Sequence, residues 1–458
     1  MESIAIRGIR VQPSRLERIA KRFQIDRPLW FAMSARAWQA ISGPLTIIFL
    51  VQALTLGEQG VYYVLASVMS IQLFFELGLL NVLISQSGHL ASDIASDRPH
   101  AKQRMSQLIS VAGQWFVAAS VMYAAAAILF GWRTLADKVS TDDWKMPLVC
   151  LSIVAAGTVA LAPRLAILEG AGYRASVYKV RFFQMLLGTL AVWSMLLMGF
   201  KLWALVLSSF VQFLCSFLAT FVVHRRFFDS LHHAKEDRDA SSKNDEESGL
   251  KWFSEVFPLQ WRVALTSIAY HIATQFFTVI LVRYNGEEAA GQLGMTMSIV
   301  MAIQGMAITF IQTKFGLVSN LHGAGDREEA GELWRRSALI STGLLVTALS
   351  GVLTVIWLLP IAERGWEARF IEPWQMLILA VGCLANHGVA LQSFYVLSRK
   401  GRPFLVACLI GFGVTAISVW IGGARWGVTG IVAGYTFGML GVTLPLHSLS
   451  YWLYRGKK

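Results

Sequence analysis

Eight polar side chains lie inside long apolar runs, where they are expensive to keep: Arg36, Arg164, Arg262, Lys314, Glu76, His271, Gln39 and Gln275. An ionised group at mid-membrane depth costs roughly 2.5–3.5 kcal/mol on insertion scales, so each needs a physical reason. Four of the eight are cations, and guanidinium and ammonium groups gathered in one cavity would hold an anion, a phosphate above all. The structural alternative is that each one snorkels to the nearest headgroups. Glu76 follows Gln72 by four residues and so shares its helix face; it suits either an ion pair with one of the arginines or a proton-coupling role. His271 has an ordinary pKa near neutrality and belongs to a stripe with Gln260, Ser267, Gln275 and Thr278. Such a stripe also serves plain hydrogen bonding between helices. Gln39, Gly43 and Thr46 share a face with Arg36, and Asn386, His387 and Gln392 form a further polar group.

Bond-making chemistry has no comparable signal. The G-x-x-x-x-G-K-[ST] loop that cradles nucleotide phosphates is missing, as are H-E-x-x-H and G-x-S-x-G. Cys150, Cys215, Cys383 and Cys408 all fall in apolar runs without C-x-x-C spacing and read as small buried hydrophobes. Neither a metal nor a cofactor is expected.

The elements that position these groups are about twelve windows of apolar residues, each long enough to cross a hydrocarbon core about 30 Å thick. They run over 29–54, 61–86, 107–131, 147–168, 180–200, 202–223, 257–282, 291–317, 337–360, 373–397, 403–423 and 428–453. Of the 40 Lys and Arg, 28 fall in alternate gaps beginning with residues 1–27, and 8 fall in the gaps between. Basic loops stay on the cytoplasmic side, which places both termini there and requires an even number of spans. With that topology Arg36, Arg164, Arg262 and Lys314 all lie in the cytoplasmic third of their helices. A cationic vestibule open to the cytoplasm would receive an anion presented there, such as a lipid-linked phosphate.

The fold expected is an all-α polytopic membrane protein, with 55% apolar residues along the whole chain leaving no soluble domain. A net charge of +12 would suggest nucleic acid, but its one-sided distribution is explained by topology and anionic headgroups, and no nucleic-acid partner is expected. Residues 1–27 read as a cytoplasmic segment in which Leu16, Ile19, Ala20 and Phe23 mark an interfacial amphipathic helix. Residues 28–223 form the first six-helix bundle and 257–458 the second. Between them, 224–256 is a cytoplasmic linker, mostly polar and dense in both charges. The outer loops are too short for an external catalytic domain.

A faint repeat accompanies this division. Residues 50–63, LVQALTLGEQGVYY, and 281–294, LVRYNGEEAAGQLG, each carry a span into a short Gly-Glu turn that starts the next span. Transporters are often built from repeated bundles with the substrate between them.

Three further stretches stand out: Arg36 followed by LGEQGVYY (56–63), FFELGLLNVLISQ (74–86) and APRLAILEGAGYR (162–174). In these motifs the chain resembles the Wzx-type polysaccharide flippases of the multidrug/oligosaccharidyl-lipid/polysaccharide exporter superfamily. The chain departs from many relatives in having Gln52-Ala53 where they carry Ala-Arg. The resemblance implies translocation of an undecaprenyl-pyrophosphate-linked oligosaccharide to the outer leaflet of a bacterial inner membrane by alternating access of two lobes. It also implies membrane lipids, a polysaccharide polymerase and glycosyltransferases as partners. Rival readings are a multidrug or small-molecule antiporter of the same architecture, a pathway enzyme such as a polymerase or acyltransferase, and a scaffold. An antiporter for cationic drugs would be expected to use acidic groups, whereas the charges inside these spans are mostly basic.

Overall fold

The computed structural model describes residues 27–456 apart from 77–78, 99, 140–141, 232–256, 325, 363–364 and 400–403. The N-terminal amphipathic segment and most of the linker expected from the sequence lie outside the described residues. So do the side chains of Arg36 and Arg262, although their backbones are helical.

Most of the described residues are helical, with no strand among them. The helices are α1 (Arg27–Ala53), α2 (Leu56–Met69), α3 (Gln72–Glu76), α4 (Leu79–Ala95), α5 (Ala101–Leu135), α6 (Lys145–Gly170), α7 (Arg174–Leu197) and α8 (Trp203–Leu218). After the linker come α9 (Phe257–Gln275), α10 (Phe277–Asn285), α11 (Glu287–Ala324), α12 (Arg327–Leu358), α13 (Pro373–Ser398), α14 (Leu405–Thr436) and α15 (Leu444–Gly456). Eight described helices are long and apolar enough to cross a membrane, or nine if α9 and α10, bent by 43° at Phe276, count as one. The apolar windows at 29–54 and 61–86 correspond to a shorter apolar helix and to a run broken near Ser70. The windows at 403–423 and 428–453 correspond to one helical stretch interrupted at Gly427, whose φ of 60° is open to glycine and strained for other residues.

The exteriors of the helices are apolar. Val121, Leu129, Met146, Leu197, Leu339, Trp357, Val406 and Trp452 are all exposed, a surface that belongs in lipid rather than water. The chain is a multi-pass membrane protein.

Packing falls into two groups. In the first, α5 and α4 pack on α6, α7 packs on α1, and α8 packs on both α6 and α7; in the second, α14 packs on α9, α10 and α13, and α11 on α12 and α13. One buried core cluster runs through both, with Leu65, Leu108, Phe116 and Leu148 from the first and Leu293, Leu345, Met376 and Ile431 from the second. The groups meet where α2 lies along α11 and α10.

Candidate functional site

The contact between the halves is built by the two Gly-Glu turns that form the sequence repeat. Thr55 begins α2 with a capping box: the Glu58 backbone N–H donates to Thr55 Oγ1 (3.3 Å), and the Thr55 N–H donates to the Glu58 carboxylate (2.9 Å). This satisfies two helix-end donors and fixes the angle at which α2 leaves α1. Three residues are then aimed differently. Glu58 points outward to an ion pair with Lys201. Burial raises its carboxyl, but the hydrogen bonds from Lys201 and Thr55 outweigh this and hold it below its ordinary value. Gly57 and Gly60 face α11, where Gly286 (φ 98°) and Glu287 make the second turn.

Glycine at these positions lets backbone touch backbone. A Cβ on Gly60 would lie 2.7 Å from the Glu287 carbonyl carbon, and one on Gly291 would lie 3.0 Å from both Gly60 N and Leu56 O. Close approach of small residues is how helices gain packing in lipid, where no hydrophobic force draws them together.

The fully buried Gln59 is held between the halves. Its amide nitrogen donates to the Gly291 carbonyl (2.9 Å) and to the Arg369 carbonyl (3.4 Å), and its oxygen accepts from Arg369 Nη1 (3.2 Å). The same Nη1 donates to Leu54 O at the end of α1 (2.7 Å), a place where helix carbonyls need a donor. Burial lowers the Arg369 guanidinium from its ordinary value, and the negative Glu58 partly offsets this. Deeper along α2, Tyr63 meets Ser298 (3.4 Å) and Ser67 meets Thr278 (2.8 Å). Phe74 then stacks on Phe276 with centroids 6.0 Å apart and presents an edge to His271. Among the described residues, most of these cross-half bonds lie at the end carrying Thr55, Lys201, Glu287 and Arg369.

Sequence-expected residues fall in several places. His271 is buried at the inner limit of this contact, its Nε2 without a partner. Gln275 ends α9 at the bend, where interrupted helical bonding leaves backbone carbonyls in need of donors. Glu76 ends α3, half-buried, with no cation in ion-pair range among the described residues. Gln39 is half-buried on α1, and Thr46, from the same expected stripe, accepts from Trp193 Nε1 of α7 (2.9 Å). Lys314 is exposed on α11. Arg164 packs among residues of the first half alone.

A second polar cluster lies inside the second half, around a cavity of about 190 Å³ lined by Tyr270, Gln304, Asn386, Ser393, Cys408 and His447. Asn386 Nδ2 donates to Tyr270 OH (3.4 Å), and Cys408 Sγ meets His447 Nε2 (3.3 Å). Both amide atoms of Gln304, and His447 Nδ1, are buried without a partner. No group of three or more metal-ligating side chains occurs among the described residues, and the four cysteines are free.

Gln59, Arg369, Gln304 and His447 were not singled out by sequence reasoning. Gln59 sits inside a motif quoted above, whereas Arg369 reads only as a loop charge. Gln304 and His447 are lone polar residues in apolar runs, the same signal that marks Asn386 and His387.

No protein-family profile matches the chain, and no curated protein does. Solved structures do. The lipid II flippase MurJ in an inward closed conformation matches with a TM-score of 0.59 and 12% identity, over 92% of this chain and 87% of that one. An inward-facing multidrug resistance MATE transporter of the MOP superfamily matches with a TM-score of 0.56 and 12% identity, over 91% and 98%. A MOP superfamily transporter from Pyrococcus furiosus, described by the reverse polarity of its binding pocket, matches at 0.57 and 14%, over 94% and 93%. The chain thus shares its overall helical fold with these solved transporter structures.

Proposed function

We propose that this chain is a flippase that carries an undecaprenyl-pyrophosphate-linked oligosaccharide from the cytoplasmic to the outer leaflet of a bacterial inner membrane, for polysaccharide biosynthesis. It makes no bond and needs no cofactor. In this reading the chain has twelve spans and two cytoplasmic termini, with residues 28–223 and 257–458 as lobes joined by 224–256. The observation that carries the proposal is the one-ended contact of the halves. Among the described residues the cross-half bonds gather around Gln59 and Arg369, while 28 of the 40 Lys and Arg fall in the alternate sequence gaps read as cytoplasmic. A lobe pair closed outside and basic inside suits an anionic substrate loaded from the cytoplasm.

Arg36, Arg262 and Lys314, with Gln39 and Gln275 beside them, are proposed to receive the pyrophosphate and acidic sugars between the lobes. Glu76 and His271 are proposed to stand where that cavity meets the closed contact, as a coupling or structural ion pair. The resemblance of the Leu56–Tyr63 turn to polysaccharide flippases, and the match to a lipid II flippase, favour a lipid-linked oligosaccharide. The matches to MATE transporters favour a second reading, a small-molecule antiporter. The basic character of the intramembrane charges argues against a cationic drug.

The test is neutral substitution of Arg36 and Arg262 in cells whose surface polysaccharide is measured. Export should stop while folded protein persists, and lysine should rescue only partly because it lacks the planar fork of arginine. Normal export by the Arg36→Ala, Arg262→Ala double variant would overturn the site. Loss of drug efflux with intact export would favour the antiporter.

A further inference from the structure

Arg164 is not spent on the contact between the halves. It stands on α6, six residues before the helix ends at Gly170, so about 9 Å from the end of the bundle remote from that contact. No carboxylate lies in ion-pair range of it among the described residues; Glu169, the nearest in sequence, is paired with Arg181 at 2.8 Å. Its guanidinium carbon instead lies 4.3 Å from the centre of the Phe221 ring and 5.3 Å from that of Phe228. Phe221 belongs to a π-helical turn, Ala219–Val223, that continues α8. The wider turn shifts the register of the residues that follow, a distortion that recurs at functional positions. Its guanidinium packs against two rings, with N–H groups left to donate.

The guanidinium faces a groove of about 640 Å³, within the range of about 300–1,000 Å³ typical of ligand sites. Its described lining residues come from α5, α6 and the segment 221–231, with none from the second half. The lining is graded along α5. Ser106 and Ser110 lie toward the Arg164 end, followed by Gly113 and Gln114, and Val117, Ala118 and Val121 lead inward. Gln114, Val117, Ala118 and Val121 are exposed, so the groove is open along its side to the surroundings of the bundle, which in a membrane are lipid. The rise from Ser106 to Val121 is about 22 Å. One leaflet contributes about 15 Å of a hydrocarbon core some 30 Å thick, so the groove runs from headgroup level to just past the midplane. A Cβ on Gly113 would meet nothing within 4 Å, so the space beside the helix is empty there.

We propose that this groove binds an anionic phospholipid of the adjacent leaflet, with its phosphate on Arg164 and Ser110 and one acyl chain along Gly113, Val117 and Val121. The unpaired cation selects the charge, and the one-leaflet length selects an ordinary acyl chain over a polyprenyl tail, which is far longer than the groove. The site lies within one lobe, so a bound lipid would move with it and leave the contact between the halves untouched.

The test is native mass spectrometry of the full-length purified protein in detergent with phosphatidylglycerol, phosphatidylcholine or undecaprenyl phosphate added singly and in pairs. The wild type should retain phosphatidylglycerol in preference to phosphatidylcholine. Arg164→Gln should lower that retention about tenfold or more, the loss expected for a charge-assisted phosphate contact. Gly113→Phe, which fills the groove and leaves the charge, should lower retention of phosphatidylglycerol as well. Because Gly113 faces open space, this variant stays informative even if Arg164→Gln fails to fold. Equal retention of the two phospholipids by the wild type, or undiminished phosphatidylglycerol in Gly113→Phe, would overturn the proposal. So would displacement of phosphatidylglycerol by undecaprenyl phosphate at equal concentration, which would assign the groove to the carrier lipid. The readout is binding alone, so it succeeds or fails separately from the transported substrate.

Discussion

Replacing Gly60 by alanine adds one methyl group at the place where α2 and α11 are closest. The new Cβ would sit 2.7 Å from the Glu287 carbonyl carbon, against about 3.5–4.0 Å for carbon atoms at rest, so the helices must part by about 1 Å. Backbone cannot turn aside as a side chain would. A 1 Å separation takes both the 2.9 Å bond from Gln59 to Gly291 and the 2.7 Å bond from Arg369 to Leu54 beyond hydrogen-bond range. Losing one neutral and one charged hydrogen bond costs about 2–4 kcal/mol of the closed contact, or about 30- to 1,000-fold in its population relative to an open one. Helix propensity works the other way, since alanine favours a helix over glycine by about 1 kcal/mol, so local unfolding of α2 would not explain the effect. The assay is the distance between spin labels on the exposed residues Asp137 and Glu367, one in each half at this end, after replacement of the four native cysteines. Gly60→Ala should move most of the population to longer distances while Gly43→Ala, which meets nothing within 4 Å, leaves it in place. An unchanged distribution in well-folded Gly60→Ala would refute the close-packing argument.

Two further outcomes follow from the same geometry and from charge. The Glu58 carboxyl is held below its ordinary value of 4.5, so its pairing with Lys201 contributes stability that is complete above that value and lost as pH falls below it. Thermal melts from pH 6 to pH 3.5 should therefore show a steeper acid loss in the wild type than in Lys201→Met, and parallel curves would contradict the pairing. Because 28 of 40 Lys and Arg fall in alternate gaps between the apolar windows, reporters fused after residue 240 and after residue 458 should both report cytoplasm, and one within 132–146 should report the exterior. A C-terminus found outside would sink the twelve-span reading.

The sequence made the helices legible because a bilayer demands long apolar runs and permits little else. The break between the windows at 403–423 and 428–453 was readable too, and the structure puts a left-handed glycine there, Gly427. The two Gly-Glu turns were visible as a repeat, and the structure sets them face to face, Gly60 against Glu287. Their mutual contact was not readable, because Gln59 and Arg369 are 310 residues apart and no local period links them. Nor was the setting of Arg164, which depends on a π turn in α8 that hydropathy does not encode. Hydropathy marks which polar groups are costly; which surface each one faces is decided by packing between helices.

The central claim is that the chain moves a lipid-linked oligosaccharide between leaflets without altering it, and leaflet-resolved labelling of the intermediate in cells lacking the protein tests it most directly. Such cells should still assemble the repeat unit on its carrier, and the unit should accumulate unpolymerised on the cytoplasmic leaflet. A polymerase defect would leave the same unit facing outward, and an acyltransferase defect would leave it exported but unacylated. Accumulation chiefly in the outer leaflet would contradict the flippase reading.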